Sequence, residues 1–114
     1  MDSTNLARRV VDLADEKQAT DIVLLNLHQV SLLADYFVVC TAGSQRQIGA
    51  IIDHVLTEVK QEGRPALHVE GEPSSGWMLI DYGDVVLHVF AEAQREYYRL
   101  EDLWNKAVVV LKLQ

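Results

Sequence analysis

Between residues 4 and 17, Leu6, Val10 and Leu13 fall on one stripe with Ala7, Val11 and Ala14 beside it, the spacing of an amphipathic helix. Ser3 or Thr4 is the expected cap, because a short side-chain oxygen can accept from the free N–H groups of the first turn. The runs at 22–25 (Ile-Val-Leu-Leu) and 36–40 (Tyr-Phe-Val-Val-Cys) do not alternate. Unbroken and rich in β-branched and aromatic residues, they suit central strands covered on both faces. A second helix opens at Ser44, which with Gln47 has the spacing of a capping box. Ile48, Ile51, Ile52, Val55, Leu56 and Val59 keep helical period until Gly63 and Pro65 stop it. Leu67 to Glu70 reads as a short strand, and Gly71 with residues 73–76 as a loop.

Residues 76–90 carry the sharpest pattern, two strands joined at Gly83-Asp84. A tight type II′ turn needs φ > 0 at its first central residue, which Gly83 supplies. That turn sets Tyr82 opposite Val85, Asp81 opposite Val86, Ile80 opposite Leu87 and Leu79 opposite His88. One face then collects Met78, Ile80, Tyr82, Val85, Leu87 and Val89, a core face. The other mixes Trp77, Leu79, Asp81, Val86, His88 and Phe90. Residues 92–104 read as one or two helical pieces carrying Tyr97, Leu100, Leu103 and Trp104, while the tail 107–113 has β-propensity without a definite place. The connections at 28–35 and 83–84 are too short for crossovers and predict antiparallel neighbours; the strand–helix–strand unit predicts a right-handed crossover and a parallel pair. The expected fold is one α/β layered domain over residues 1–114, a mixed sheet covered by helices, with residues 105–114 a tail of uncertain structure.

The 49% hydrophobic content suits a globular core, with no apolar run near the roughly 20 residues of a membrane span. With 10 Lys and Arg against 17 Asp and Glu, net −7, the chain lacks the cations that draw a protein to phosphate backbones. An acidic domain fits a basic protein surface better. The acidic, polar start has no basic segment of a signal peptide, and one cysteine cannot make an internal disulfide, so a cytoplasmic location is expected.

Catalytic patterns are sparse. Cys40 lies inside an expected buried strand, where a thiol packs rather than reacts. His28, His54, His68 and His88 lie on four different elements without metal-ligand spacing. Gly43-Ser44 opens a helix after a strand, as in the nucleotidyltransferase signature, but that chemistry needs two carboxylates on one strand face to hold metal. Asp81 and Asp84, three apart around a turn, need not share a face. No cofactor and no metal site are expected. On the mixed hairpin face, Asp81 and His88 are diagonal neighbours within reach of a polar contact. Three readings stay open there: an acid–base pair, a rim hydrogen bond above Trp77, Leu79 and Phe90 packed beneath a helix, or a protein-binding patch with an aromatic anchor.

The chain resembles the ribosomal silencing factor family (RsfS, also called Iojap) from about residue 4 to residue 107. The likeness rests on Asp35-Tyr-Phe-Val-Val-Cys-Thr, Ser44-Gln-Arg-Gln and Val69-Glu-Gly71, and most of all on the segment 77–90 followed by Arg95-Glu-Tyr-Tyr-Arg-Leu-Glu-Asp-Leu-Trp104. Ala42 stands where the family often has glycine, and residues 106–114 run past the shared motif. The resemblance implies a nucleotidyltransferase-like outline without the catalytic site. It also implies a non-enzymatic factor that binds the large ribosomal subunit through ribosomal protein L-fourteen. So bound, it blocks subunit joining and represses translation under nutrient limitation; when free, the resemblance implies self-association as a homodimer. By resemblance the partner-binding positions are Trp77, Asp81, Asp84, His88, Tyr98, Leu100, Glu101 and Trp104. The alternative is a nucleotidyltransferase-like enzyme using Ser44 with Asp81 and Asp84.

Overall fold

The computed structural model describes residues 1–99 and 107–114. Its elements run α1 (Ser3–Glu16), β1 (Thr20–Asn26), β2 (Tyr36–Ala42), α2 (Gln45–Gln61), β3 (His68–Glu70), β4 (Trp77–Asp81), β5 (Val85–Ala91), α3 (Glu92–Tyr98) and β6 (Val108–Leu113). A 3-10 turn at Pro73–Ser75 leads into β4.

All six strands join one mixed sheet in the order β3-β4-β5-β2-β1-β6. The two short connections give antiparallel neighbours as expected, β1 with β2 and β4 with β5. The hairpin register is the one the turn dictates, with Asp81 opposite Val86, Leu79 opposite His88 and Trp77 opposite Phe90. Gly83 has φ +93°, the conformation that a side chain would oppose.

The parallel pair differs from expectation. Crossing by α2 does not set β3 beside β2; the hydrogen-bonded parallel neighbour of β2 is β5, from Tyr36↔Val85 to Ala42↔Ala91. Burial explains the choice. β5 is almost wholly buried and suits the centre, whereas β3 has three exposed residues, two of them charged or polar, and suits an edge. The tail, unplaced from sequence, pairs antiparallel with β1 as the opposite edge, β6.

One face of the sheet packs against α1 and α2. Leu6, Val10 and Leu13 of α1 and Ile48, Ile51, Ile52 and Val55 of α2 meet Ile22, Leu24, Val38, Cys40, Ile80, Leu87 and Val89. This is the core face that the alternation in the hairpin marked out. The caps obey the same chemistry with one change of residue: Asp2, not Ser3 or Thr4, caps α1, accepting from the Asn5 N–H at 2.8 Å. Ser44 caps α2 as expected, accepting from the Gln47 N–H at 3.1 Å. The Gln47 side chain reaches back one residue further than a capping box would, to the Gly43 N–H at 2.6 Å, and donates to the carbonyls of Lys17 and Gln18. It thereby fastens the end of one helix to the start of the other.

Candidate docking face

The second face of the sheet is where the puzzling hairpin residues lie. Trp77, Leu79 and Asp81 of β4 and Val86, His88 and Phe90 of β5 alternate onto it, beside Phe37 and Val39 of β2. At the β3 edge, Glu70 stands opposite Leu79 and His68 opposite Asp81, joining the same face, and His68 and Glu70 pair at 2.7 Å.

Trp77 organises this layer. Its ring stacks on Phe90 with centroids 4.9 Å apart and planes 28° apart, and the Tyr98 ring at the end of α3 lies 4.6 Å away. α3 is held over the sheet by Arg95, whose guanidinium donates to the buried Thr41 hydroxyl at 2.9 Å. The half-buried Trp77 therefore does pack beneath a helix. Its other side, with Leu79, Glu70 and Gly71, lines a shallow hollow of about 220 Å³. The indole N–H donates to His88 Nδ1 at 3.2 Å, so the imidazole keeps its proton on Nε2. That Nε2 is buried and has no hydrogen-bond partner among the described residues. The Phe37 ring meets the imidazole edge-on at 4.7 Å.

This setting fixes the protonation state. Burial pushes the His88 imidazole down to about 4, against a smaller upward pull from the Asp81 carboxylate. The imidazole is neutral near pH 7 and too weak a base for acid–base work there. The Asp81–His88 hydrogen bond that the acid–base and rim readings require is not formed. Asp81 Oδ1 instead accepts from the Gly83 N–H at 2.6 Å, tightening the hairpin turn. Asp84 is likewise engaged in structure: its carboxylate meets Arg64 at 2.6 Å, and its carbonyl accepts from the N–H groups of Asp35 and Tyr36. Arg64 also donates to the carbonyls of Tyr82 and Met1, a clamp that no spacing in the sequence foreshadowed.

The residues of the enzymatic alternative are not brought together. Asp81 and Asp84 lie at the end of the sheet where β2 begins, whereas Ser44 follows the end of β2. A seven-residue strand separates them by on the order of 20 Å. Among the described residues no group of three or more His, Cys, Asp or Glu could hold a metal ion. Cys40 is fully buried with its thiol pushed up to about 12 by desolvation, inert as expected. Of the eight positions carried by resemblance, Trp77, Asp81, His88 and Tyr98 share this face, Asp84 sits in the adjoining turn, and Leu100, Glu101 and Trp104 lie outside the described residues.

The model of the family described as ribosomal silencing factor during starvation, RsfS, matches residues 1–114. The chain belongs to this family. An RsfS protein of Halalkalibacterium halodurans is 38% identical over 110 residues, covering 96% of this chain and 94% of that one. A mouse protein named mitochondrial assembly of ribosomal large subunit protein 1 is 29% identical over 99 residues, of which the chain spans 43% of the mouse length. A crystal structure of a protein from Chromobacterium violaceum superimposes with a TM-score of 0.88 at 31% identity, covering 92% of this chain and 88% of that one. The RsfS membership thus joins a mixed-sheet fold to a name that denotes regulation of the ribosome. No helix among the described residues is long and apolar enough to cross a membrane.

Proposed function

We propose that the chain docks on the large ribosomal subunit through ribosomal protein L-fourteen, blocks joining of the small subunit and so represses translation under nutrient limitation. The mechanism is steric: two partners compete for one surface, and the bound factor keeps the intersubunit contact from forming. The observation that carries this reading is the half-covered Trp77 face, an aromatic anchor with a neighbouring hollow, rimmed by His68, Glu70 and Asp81. Aromatic anchors ringed by polar groups concentrate interface energy. The net charge of −7 favours a basic protein surface and disfavours exposed ribosomal RNA. The name of the mouse relative refers to the ribosomal large subunit, which agrees with such a partner. The factor acts in the cytoplasm without catalysis, cofactor or membrane, and Trp77, Asp81, Asp84, His88, Tyr98, Leu100, Glu101 and Trp104 form or support its contact surface.

The test is sedimentation of the purified protein with large subunits, followed by addition of small subunits. The protein should travel with the large subunit and lower the yield of joined ribosomes. Normal joining at saturating protein would overturn the proposal. Calorimetry with nucleoside triphosphates and magnesium should give no heat of binding at millimolar ligand.

A further inference from the structure

The loop between β1 and β2 presents two leucines to solvent, Leu32 at 104% and Leu33 at 90% exposure. Around them the loop is tightly built. The N–H groups of Val30 and Ser31 donate to the Leu27 carbonyl at 3.0 and 2.9 Å, and Leu27 N–H donates to the Asp35 carbonyl at 2.8 Å. Ser31 Oγ accepts from the N–H groups of Leu33 and Ala34 at 3.1 and 3.4 Å. Leu27 and Ala34 are buried, with Val30 packed beside them, in the same apolar layer as Trp77 and Phe90. His28 pairs with Asp35 at 3.2 Å, and the Asp35 N–H is tied to the Asp84 carbonyl of the hairpin turn. Two apolar side chains are thus held outward on an ordered turn continuous with the Trp77 layer. Such preorganisation lowers the entropy lost on binding.

We propose that Leu32 and Leu33 form an apolar anchor that seats in a hollow, bordered by Lys or Arg, on the ribosomal protein this chain docks on. The inference rests on the docking reading above and adds a second contact to it. Charge selects the occupant. The loop itself, residues 27–35, holds no Lys or Arg and closes on Asp35. A lipid surface with anionic headgroups calls for cations beside the inserted residues, and this segment has none. A second copy would bring another net charge of −7 against the first. A protein hollow rimmed by cations satisfies both the leucines and the acidic setting.

The test compares the full chain with Leu32→Ser/Leu33→Ser in sedimentation with purified large subunits. The double variant should unfold at the same urea concentration as the parent and bind large subunits at least about tenfold more weakly. If its urea midpoint falls, Leu32→Gln, at a side chain fully in solvent, decides instead and should weaken binding severalfold. Unchanged affinity in a folded variant overturns the anchor and leaves the docking reading standing. Failure of the parent chain to bind large subunits overturns both. Two control arms probe the rival occupants: vesicles of phosphatidylglycerol and phosphatidylcholine, and sedimentation velocity of the free protein. Vesicle binding or self-association abolished by the substitutions, with subunit affinity intact, also overturns the anchor.

Discussion

Acid should destabilise this protein through one buried imidazole. His88 is 6% exposed, accepts the Trp77 indole N–H at Nδ1 and has a folded pKa near 4, against 6.5 for the free side chain. Protonation would charge a group out of reach of water and set a donor against the indole donor. Because the folded pKa lies below the unfolded one, the unfolded chain binds more protons between pH 6.5 and 4. This contribution to stability is full above about pH 6.5 and is lost as pH falls through that window. A gap of about 2.5 pH units corresponds to about 3 kcal/mol in all, of which about 2 kcal/mol is gone by pH 5. Urea unfolding at pH 7, 6 and 5 reads the slope, and His88→Gln, which cannot titrate, isolates it from the carboxylates. The variant should be less stable at pH 7 but lose markedly less between pH 7 and 5. Equal slopes in the two proteins would refute the assignment, as would an NMR titration placing the His88 midpoint near 6.5.

Three further outcomes follow from the same geometry. Trp77→Ala should cost about 2–3 kcal/mol of folding stability through lost ring contacts, and Trp77→Phe about 1–2 kcal/mol by leaving His88 Nδ1 without its donor; a urea midpoint unchanged in both would deny the ring a structural role. Gly71→Ala places a Cβ 2.3 Å from the Trp77 carbonyl oxygen at φ +90°, whereas a Cβ at Gly63, φ +100°, meets nothing. The first should cost more than about 2 kcal/mol and the second about 1 kcal/mol, and equal midpoints would show the backbone contact to be immaterial. Arg64→Ala should cost about 1–2 kcal/mol by releasing Asp84 and the Tyr82 carbonyl, with Arg64→Lys recovering less than half because an ammonium cannot span both; full rescue by lysine would refute the forked contact.

The hairpin could be read from sequence because two strong constraints agree there. Gly83 fixes the turn, and a period of two leaves one register that buries Met78, Ile80 and Tyr82 together. The amphipathic stripes of α1 and α2 were legible for a similar reason, with 3.6-residue spacing over several turns. The place of β3 was not, since its partner is chosen by competition among strands for the centre of the sheet. Nor was the fate of Asp81 and His88. A diagonal position permits a polar contact, but the Gly83 N–H and the indole N–H are nearer partners supplied by turn and packing. The exposure of Leu32 and Leu33 is not legible in the sequence, because apolar residues in a short loop carry no periodicity to betray which way they face.

β1 takes one neighbour from the next strand and the other from the far end of the chain. β2 follows it within a short loop, but its other edge is closed by β6, where Ile22 pairs with Leu113. During synthesis the first strand is complete long before its last partner exists. At roughly 5–20 residues per second, β1 therefore waits for seconds with one row of backbone groups unpaired. An open strand edge invites pairing with another chain, so the nascent protein is most prone to aggregation in that interval. Shortening the C-terminus would make this interval permanent: loss of β6 would leave Ile22, Val23 and Leu24 at the rim of the sheet.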